Sequence, residues 1–242
     1  MSAFISEFIG TALMLLLGNG VVANVVLNKT KGNGSGWIVI TFGWAIAVFV
    51  GVYTANVSGA HLNPAITIGD AIYNNDWSKV LIYVPAQFLG AMVGSTLAWL
   101  AYKQHFDETT NAELILASFC TAPAIRSNVH NFISETIGTF ALMFGVFMLS
   151  NAAPSVALGP LNAMPVALLV LGIGLSLGGS SGYAINPARD LGPRIMHAIL
   201  PIKNKKGNAW DYSWIPVFAP IVGTALAALL YKVLYSYLHY IQ

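Results

Sequence analysis

Two copies of Asn-Pro-Ala, Asn63–Ala65 and Asn186–Ala188, stand in a chain of 242 residues that is 56% hydrophobic and only 8% charged. An Asn ahead of Pro caps a helix with its side-chain oxygen, and a proline at the first helical position gives up only an N–H that has no partner there. Each copy therefore starts a helix, and each Asn keeps amide N–H groups that can donate to a passing hydroxyl. The second copy runs on as "SGYAINPARDLGPR" and places Arg189 one turn into its helix. A guanidinium in so apolar a chain is costly against lipid, so it must face water or an acid. Asp190 can cap the same helix and pair with Arg194 four residues on. Glu7 and Glu135 are acids inside apolar stretches, a placement that points by default to a proton relay. His61, two residues before Asn63, reads as a buried hydrogen-bonding residue rather than a metal ligand.

The elements that must position these residues follow from charge. Phe8–Asn28, Gly32–Gly69, Val80–Tyr102, Thr136–Ala188 and Tyr212–Tyr231 hold no Asp, Glu, Lys or Arg. A bilayer is spanned by about 20 apolar helical residues. The 53-residue window holds two spans with residues left over, and the 38-residue window holds one with a remainder. The result is an all-α membrane protein with six transmembrane helices, near 3–27, 37–55, 80–102, 131–150, 162–179 and 213–238, and two apolar segments too short to cross. Those segments start at Asn63 and Asn186, and a polar connection, Lys103–Asn131, follows the third span. Phe4–Leu27 is long enough to stay as the first span and does not read as a cleavable signal. "GAMVG" at Gly90–Gly94 gives a small-residue face for close helix packing.

Enzyme chemistry finds no support. There is no phosphate-binding GxxxxGK[ST] loop, no Ser-His-Asp or Cys-His arrangement, no metal set, and no cofactor motif. The single Cys120 sits in a connecting loop and excludes an intramolecular disulfide. A net charge of +2 without basic or aromatic clusters gives no reason to expect nucleic acid.

The chain also repeats itself. "SEFIGTALM" at Ser6–Met14 returns as "SETIGTFALM" at Ser134–Met143, and "SGAHLNPA" at Ser58–Ala65 returns as "SGYAINPA" at Ser181–Ala188. A single transmembrane domain over 1–242 then divides into repeats of about 1–115 and 128–242. Three spans per repeat make the second copy enter from the opposite face, so the repeats are inverted. The two short segments become re-entrant half-helices that dip in from opposite faces and meet at their N-termini. Irregular backbone at that depth must line water or be buried in protein. Two helix N-termini concentrate positive potential there, which repels cations and protons.

These residues resemble the major intrinsic protein family, the aquaporins and glycerol facilitators, over essentially the whole chain. "NPARD" with an aromatic three residues before the Asn is similar to the glycerol-conducting branch. Strict water channels usually carry a histidine where Gly174 stands here. The resemblance implies a filter of Gly174, Tyr183, Arg189 and an aromatic of the second helix. The family's tryptophan position falls on Gly43, and a one-residue deletion near Asn56 brings Trp44 into it. Tyr183 replaces a common phenylalanine, making the filter narrower or more polar. Gly174 is expected to leave space, the aromatic rings to meet the carbon edge of a polyol, and carbonyls of the extended runs 57–62 and 180–185 to accept its hydroxyls.

The resemblance also implies that Asn63 and Asn186 form the pore centre. His61, Glu7 and Glu135 would support it, the glutamates by accepting bonds from the loops before the half-helices, and Asp190 caps its helix and shapes the filter. The function implied is a passive channel in the cell membrane for glycerol, other small uncharged solutes and water, with dihydroxyacetone, urea, peroxide and neutral lactic acid among the candidates. A strict water channel and a coupled secondary transporter are the alternatives. Homotetramers in the lipid bilayer, with both termini cytoplasmic, are the family's arrangement. That orientation puts Lys29, Lys31, Lys103, Arg126, Lys203, Lys205 and Lys206 outside and only Lys79 and Lys232 inside. The positive-inside rule gives the reverse topology; the motifs, which fix half-helix insertion, decide the expectation.

Overall fold

The computed structural model describes residues 1–151 and 158–241. Its helices are α1 (Ala3–Val26), α2 (Trp37–Thr54), α3 (Pro64–Asn74), α4 (Val80–Ala101), α5 (Lys103–Glu108), α6 (Ala112–Ala117), α7 (Asn128–Asn151), α8 (Met164–Ser181), α9 (Pro187–Ile199) and α10 (Ile215–Ile241). Among the described residues there is no strand. Six helices, α1, α2, α4, α7, α8 and α10, are long and apolar enough to cross a membrane. The 11 residues of α3 and 13 of α9 are not, since at 1.5 Å per residue each falls well short of the ~30 Å hydrocarbon layer.

The burial pattern reverses that of a water-soluble bundle. Along α1 the interior face carries Ser6, Glu7, Gly10, Thr11 and Gly18, while Ile5, Ile9 and Leu17 point outward. In lipid there is no hydrophobic drive between helices, so small residues and close backbone contact take its place. Gly90 and Gly94 of α4 show this. A Cβ on either would run into main-chain oxygens of α1, those of Phe8 and Ala12. Gly223 of α10 meets the Thr136 carbonyl of α7 in the same way.

Packing follows one scheme twice. α1 packs on α2 and α4, and α7 packs on α8 and α10. The short helices cross over: α3 lies on α10, and α9 lies on α4. α2 against α8 adds a third contact between the halves.

Three sequence expectations shift. The connection after α4 is not all loop, because α5 and α6 form within it and Asn111 caps α6 through Glu113 N (2.9 Å). That helix lets Ile115, Phe119 and Cys120 bury against Phe106, Trp99 and Leu200. The extended runs are shorter than expected, since a 3-10 turn takes Asn56–Ser58 and α8 continues to Ser181. The third is α7, which starts at Asn128, ahead of the expected 131.

The many cations at one end have structural partners. Lys29 bonds Glu108 at 2.5 Å, Arg126 bonds Asp211 at 2.8 Å, and Lys103 pairs with Asp107. Lys205 Nζ donates to the carbonyls of His197, Ala198 and Leu200 at 2.7–2.8 Å. There it neutralises the negative end of the α9 dipole.

Candidate functional site

The two Asn residues cap their helices and tie the helices to each other. Asn63 Oδ1 accepts from Ala65 N (2.9 Å), and Asn186 Oδ1 accepts from Ala188 N and Arg189 N (3.0 and 3.1 Å). Asn63 Nδ2 donates to the Ile185 carbonyl and Asn186 Nδ2 to the Leu62 carbonyl, each at 2.9 Å. Each amide thus spends one N–H on the opposite loop and keeps one more. Both residues line the same cavity.

The loops before them share an unusual backbone. Gly59, Ala60 and Leu62 have φ of 84°, 56° and 53°, and Gly182, Tyr183 and Ile185 have 87°, 40° and 43°. Four of these six are not glycine, and each such residue costs about 1–3 kcal/mol unless its surroundings over-determine it. The glutamates do so. Glu7 accepts from Ser58 Oγ (2.6 Å), His61 N (2.9 Å), Leu62 N (2.7 Å) and Gln87 Nε2 (2.8 Å). Glu135 accepts from Ala184 N and Ile185 N, both at 2.9 Å. With their N–H groups held from behind, the carbonyls of Leu62 and Ile185 are turned to the Asn amides.

Arg189, Trp44 and Tyr183 come together at one end of the cavity. The Arg189 guanidinium lies 4.1 Å from the centre of the Trp44 ring, a cation–π contact. All three side chains are more than 90% buried, yet Arg189 Nη1, Trp44 Nε1 and Tyr183 Oη have no hydrogen-bond partner among the described residues. Gly43 does not take part; a Cβ there would meet the Val21 side chain on α1. Trp44 instead rests its six-membered ring edge on Gly18, where any Cβ would collide with it. The space expected beside Gly174 is filled. A Cβ on Gly174 would come within 2.9 Å of Tyr183 Cζ. Trp37 closes this corner, its ring edge-on to Tyr183 at 5.8 Å and its Nε1 donating to the Gly174 carbonyl (3.0 Å).

Asp190 faces away from this group. Its Oδ1 accepts from Arg194 Nη2 (2.7 Å) and Nε (3.0 Å), and its Oδ2 accepts from Thr121 N and Oγ1 (both 2.7 Å). Arg194 also donates to the carbonyls of Thr121 (2.9 Å) and Asn208 (2.9 Å). The pair ties the 118–127 loop and the chain after α9 to the α9 helix, and the hydrogen bonds of this acid go to Arg194 and Thr121 rather than to Arg189. The sequence reading missed Thr121, Trp37, Thr67 and Gln87. Of these Gln87 carried a signal, as the one amide within the apolar window 80–102. Among the described residues no group of three His, Cys, Asp or Glu could hold a metal ion.

The cavity has a volume of about 370 Å³. It runs from Arg189, Trp44 and Tyr183 past both Asn residues to His61, Asp70 and Asn74, with Leu142, Val146 and Phe147 as an apolar wall. One wall bonds and the opposite wall does not. A small uncharged solute with hydroxyls on one edge fits such a passage, and a desolvated cation meets Arg189 and two helix N-termini.

Known proteins share this plan. The chain is 54% identical over 234 residues (96% of this chain, 99% of the relative) to the glycerol uptake facilitator protein of Streptococcus pneumoniae strain R6. It is 53% identical over 237 residues (97% and 100%) to the probable glycerol uptake facilitator protein of Thermotoga maritima. The X-ray structure of the aquaglyceroporin from Plasmodium falciparum matches with a TM-score of 0.83 at 33% identity, covering 95% of this chain and 94% of that one. The model of the major intrinsic protein family matches residues 1–231. The chain belongs to the major intrinsic protein family, whose members are membrane channels and not enzymes.

Proposed function

We propose that this protein is a passive channel through which glycerol, other small uncharged solutes and water cross the cell membrane, with ions and protons excluded. The observation that carries this reading is the Arg189 guanidinium on the Trp44 ring at 4.1 Å, with Tyr183, Asn63 and Asn186 lining the same cavity. In this reading Trp44, Gly174, Tyr183 and Arg189 form the filter and Asn63 and Asn186 the pore centre. Glu7, Glu135, His61 and Asp190 support them. A solute slides its carbon edge along Trp44 and Tyr183 while its oxygens take N–H groups from Arg189 and then from the Asn amides. Two repeats, about 1–115 and 128–242, make one channel domain, and the family resemblance extends the proposal to a homotetramer.

One feature favours a strict water channel: the Tyr183 ring occupies the space beside Gly174. Swelling of liposomes holding the purified protein separates the readings. Rapid swelling in glycerol, driven only by its gradient and independent of ions, is the expected result. Water flux without glycerol flux supports the narrow channel, and ion-dependent saturable uptake supports a transporter.

A further inference from the structure

Seven residues beyond Asn63, α3 carries Asp70, a carboxylate facing the cavity. At 1.5 Å per residue it stands roughly 10 Å further along the helix than the Asn. Its Oδ1 accepts from Asn74 Nδ2 (2.9 Å) and its Oδ2 from Lys79 Nζ (3.0 Å). His61 Nε2 lies 3.9 Å from the same Oδ2. What lies between these two atoms depends on which ring nitrogen holds the proton.

The hydrogen-bond count around Thr67 answers that. Thr67 Oγ1 donates its single hydrogen to the Asn63 carbonyl (3.1 Å) and accepts from Gln87 Nε2 (3.0 Å). One lone pair is left for His61 Nδ1 at 3.1 Å. Assigning the hydroxyl hydrogen to that carbonyl makes Nδ1 the protonated nitrogen of the neutral ring and Nε2 an acceptor. Among the described residues Nε2 has no hydrogen-bond partner. Two acceptors then face each other across 3.9 Å on the cavity wall, and only a donor from outside the fold can serve both.

We infer that His61 Nε2 and Asp70 form a second solute station on the α3 side of the pore, one that takes hydroxyl donors. It rests on the channel reading and adds to it a specificity device of opposite polarity to the filter. The Arg189 end presents donors; the Asp70 end presents acceptors. A polyol hydroxyl, being both, is passed from one to the other. Lys79 holds the carboxylate in place from the exposed side, its Nζ 3.0 Å from Asp70 Oδ2.

The test is tracer flux of glycerol into liposomes holding the full chain, measured over a range of low concentrations, with water permeability as the check on folding. Asp70→Leu removes both oxygens and is expected to raise the half-saturating glycerol concentration by about fivefold, the worth of one net hydrogen bond. Water permeability stays unchanged. Asp70→Asn keeps the shape and one acceptor, and gives a smaller rise; it carries the test if Asp70→Leu does not reach the membrane. Lys29→Gln breaks an exposed ion pair away from the cavity and leaves half-saturation at the wild-type value. The station is overturned if wild type conducts and the Asp70 variants keep its half-saturation. An equal rise in Lys29→Gln also overturns it, because the effect would then not belong to the cavity wall. Wild type that passes no glycerol at all removes the proposed function itself, and this station with it.

Discussion

The ring of Tyr183 stands in the space that Gly174 leaves: a Cβ on Gly174 would lie 2.9 Å from Tyr183 Cζ and 3.0 Å from Thr41 Cγ2. Gly174 is thus a seat for the ring rather than an open side of the passage. Gly174→Ala must push the ring off α8 toward the cavity, and overpacking of this kind costs about 1–3 kcal/mol. Glycerol flux is expected to fall severalfold more than water flux. Adding Tyr183→Leu to Gly174→Ala should restore glycerol flux. Swelling assays on both variants measure this, and an equal fall in both fluxes would mean that the ring does not bound the solute path.

Trp44 has two contacts that fix it, the Arg189 guanidinium over its face and Gly18 at its ring edge. Trp44→Ala removes the ring and frees the Arg189 side chain, forfeiting a cation–π contact worth about 0.5–2 kcal/mol. Larger polyols such as erythritol should then pass severalfold faster. Gly18→Ala should act in the opposite sense by driving the ring inward, lowering glycerol flux without touching the cavity directly. Erythritol exclusion that survives Trp44→Ala would show that another side chain sets the width.

Glu135 holds Ala184 N–H and Ile185 N–H with its two oxygens. Glu135→Gln turns one of those acceptors into a donor that faces a donor. The expected cost is about 1–3 kcal/mol for the group left unpaired, seen as a lowered unfolding midpoint in detergent. Solute flux per folded protein should fall only modestly. A proton relay through Glu135 would behave otherwise: the midpoint would hold and a solute-coupled proton current would vanish.

The six spans were legible because charge-free windows are long against the bilayer, and the half-helices because each opens on Asn-Pro. The pairing of Glu7 and Glu135 with loops came from the resemblance; their positions alone read equally well as a relay. The Tyr183 ring beside Gly174 was not legible. A small residue in a sequence says that something comes close, and only the fold says whether it is solute or side chain. Asp70 was passed over for a related reason. It ends a charge-free window, and reads there as the first residue outside the membrane. In three dimensions the half-helix returns it to the cavity wall, where Lys79, nine residues on, reaches back to it.

Charge exclusion remains to be apportioned. A continuous file of water conducts protons by hopping, and a channel with that property would collapse the membrane gradient. Two devices oppose it here. The α3 and α9 N-termini, each equivalent to roughly half a positive charge, meet where Asn63 Nδ2 bonds the Ile185 carbonyl and Asn186 Nδ2 bonds the Leu62 carbonyl. In the proposed channel the remaining amide hydrogens would hold a central water by its oxygen, so that it would donate outward on both sides and no unidirectional hydrogen-bonded chain would cross. Arg189 adds a full charge on the α9 side, and the Asp190 carboxylate, bound to Arg194 and Thr121, is turned from it. Arg189→Val should therefore weaken cation exclusion only in part, because the helix ends remain. Arg189→Val with Tyr183→Ala removes the charge and widens the constriction, admitting a less ordered water file, and some proton current should appear. Proton conductance of wild type, single and double variants in the same liposomes decides the matter. Full leakage in Arg189→Val alone would assign exclusion to the guanidinium, and no leakage in the double variant would assign it wholly to the paired Asn and helix ends.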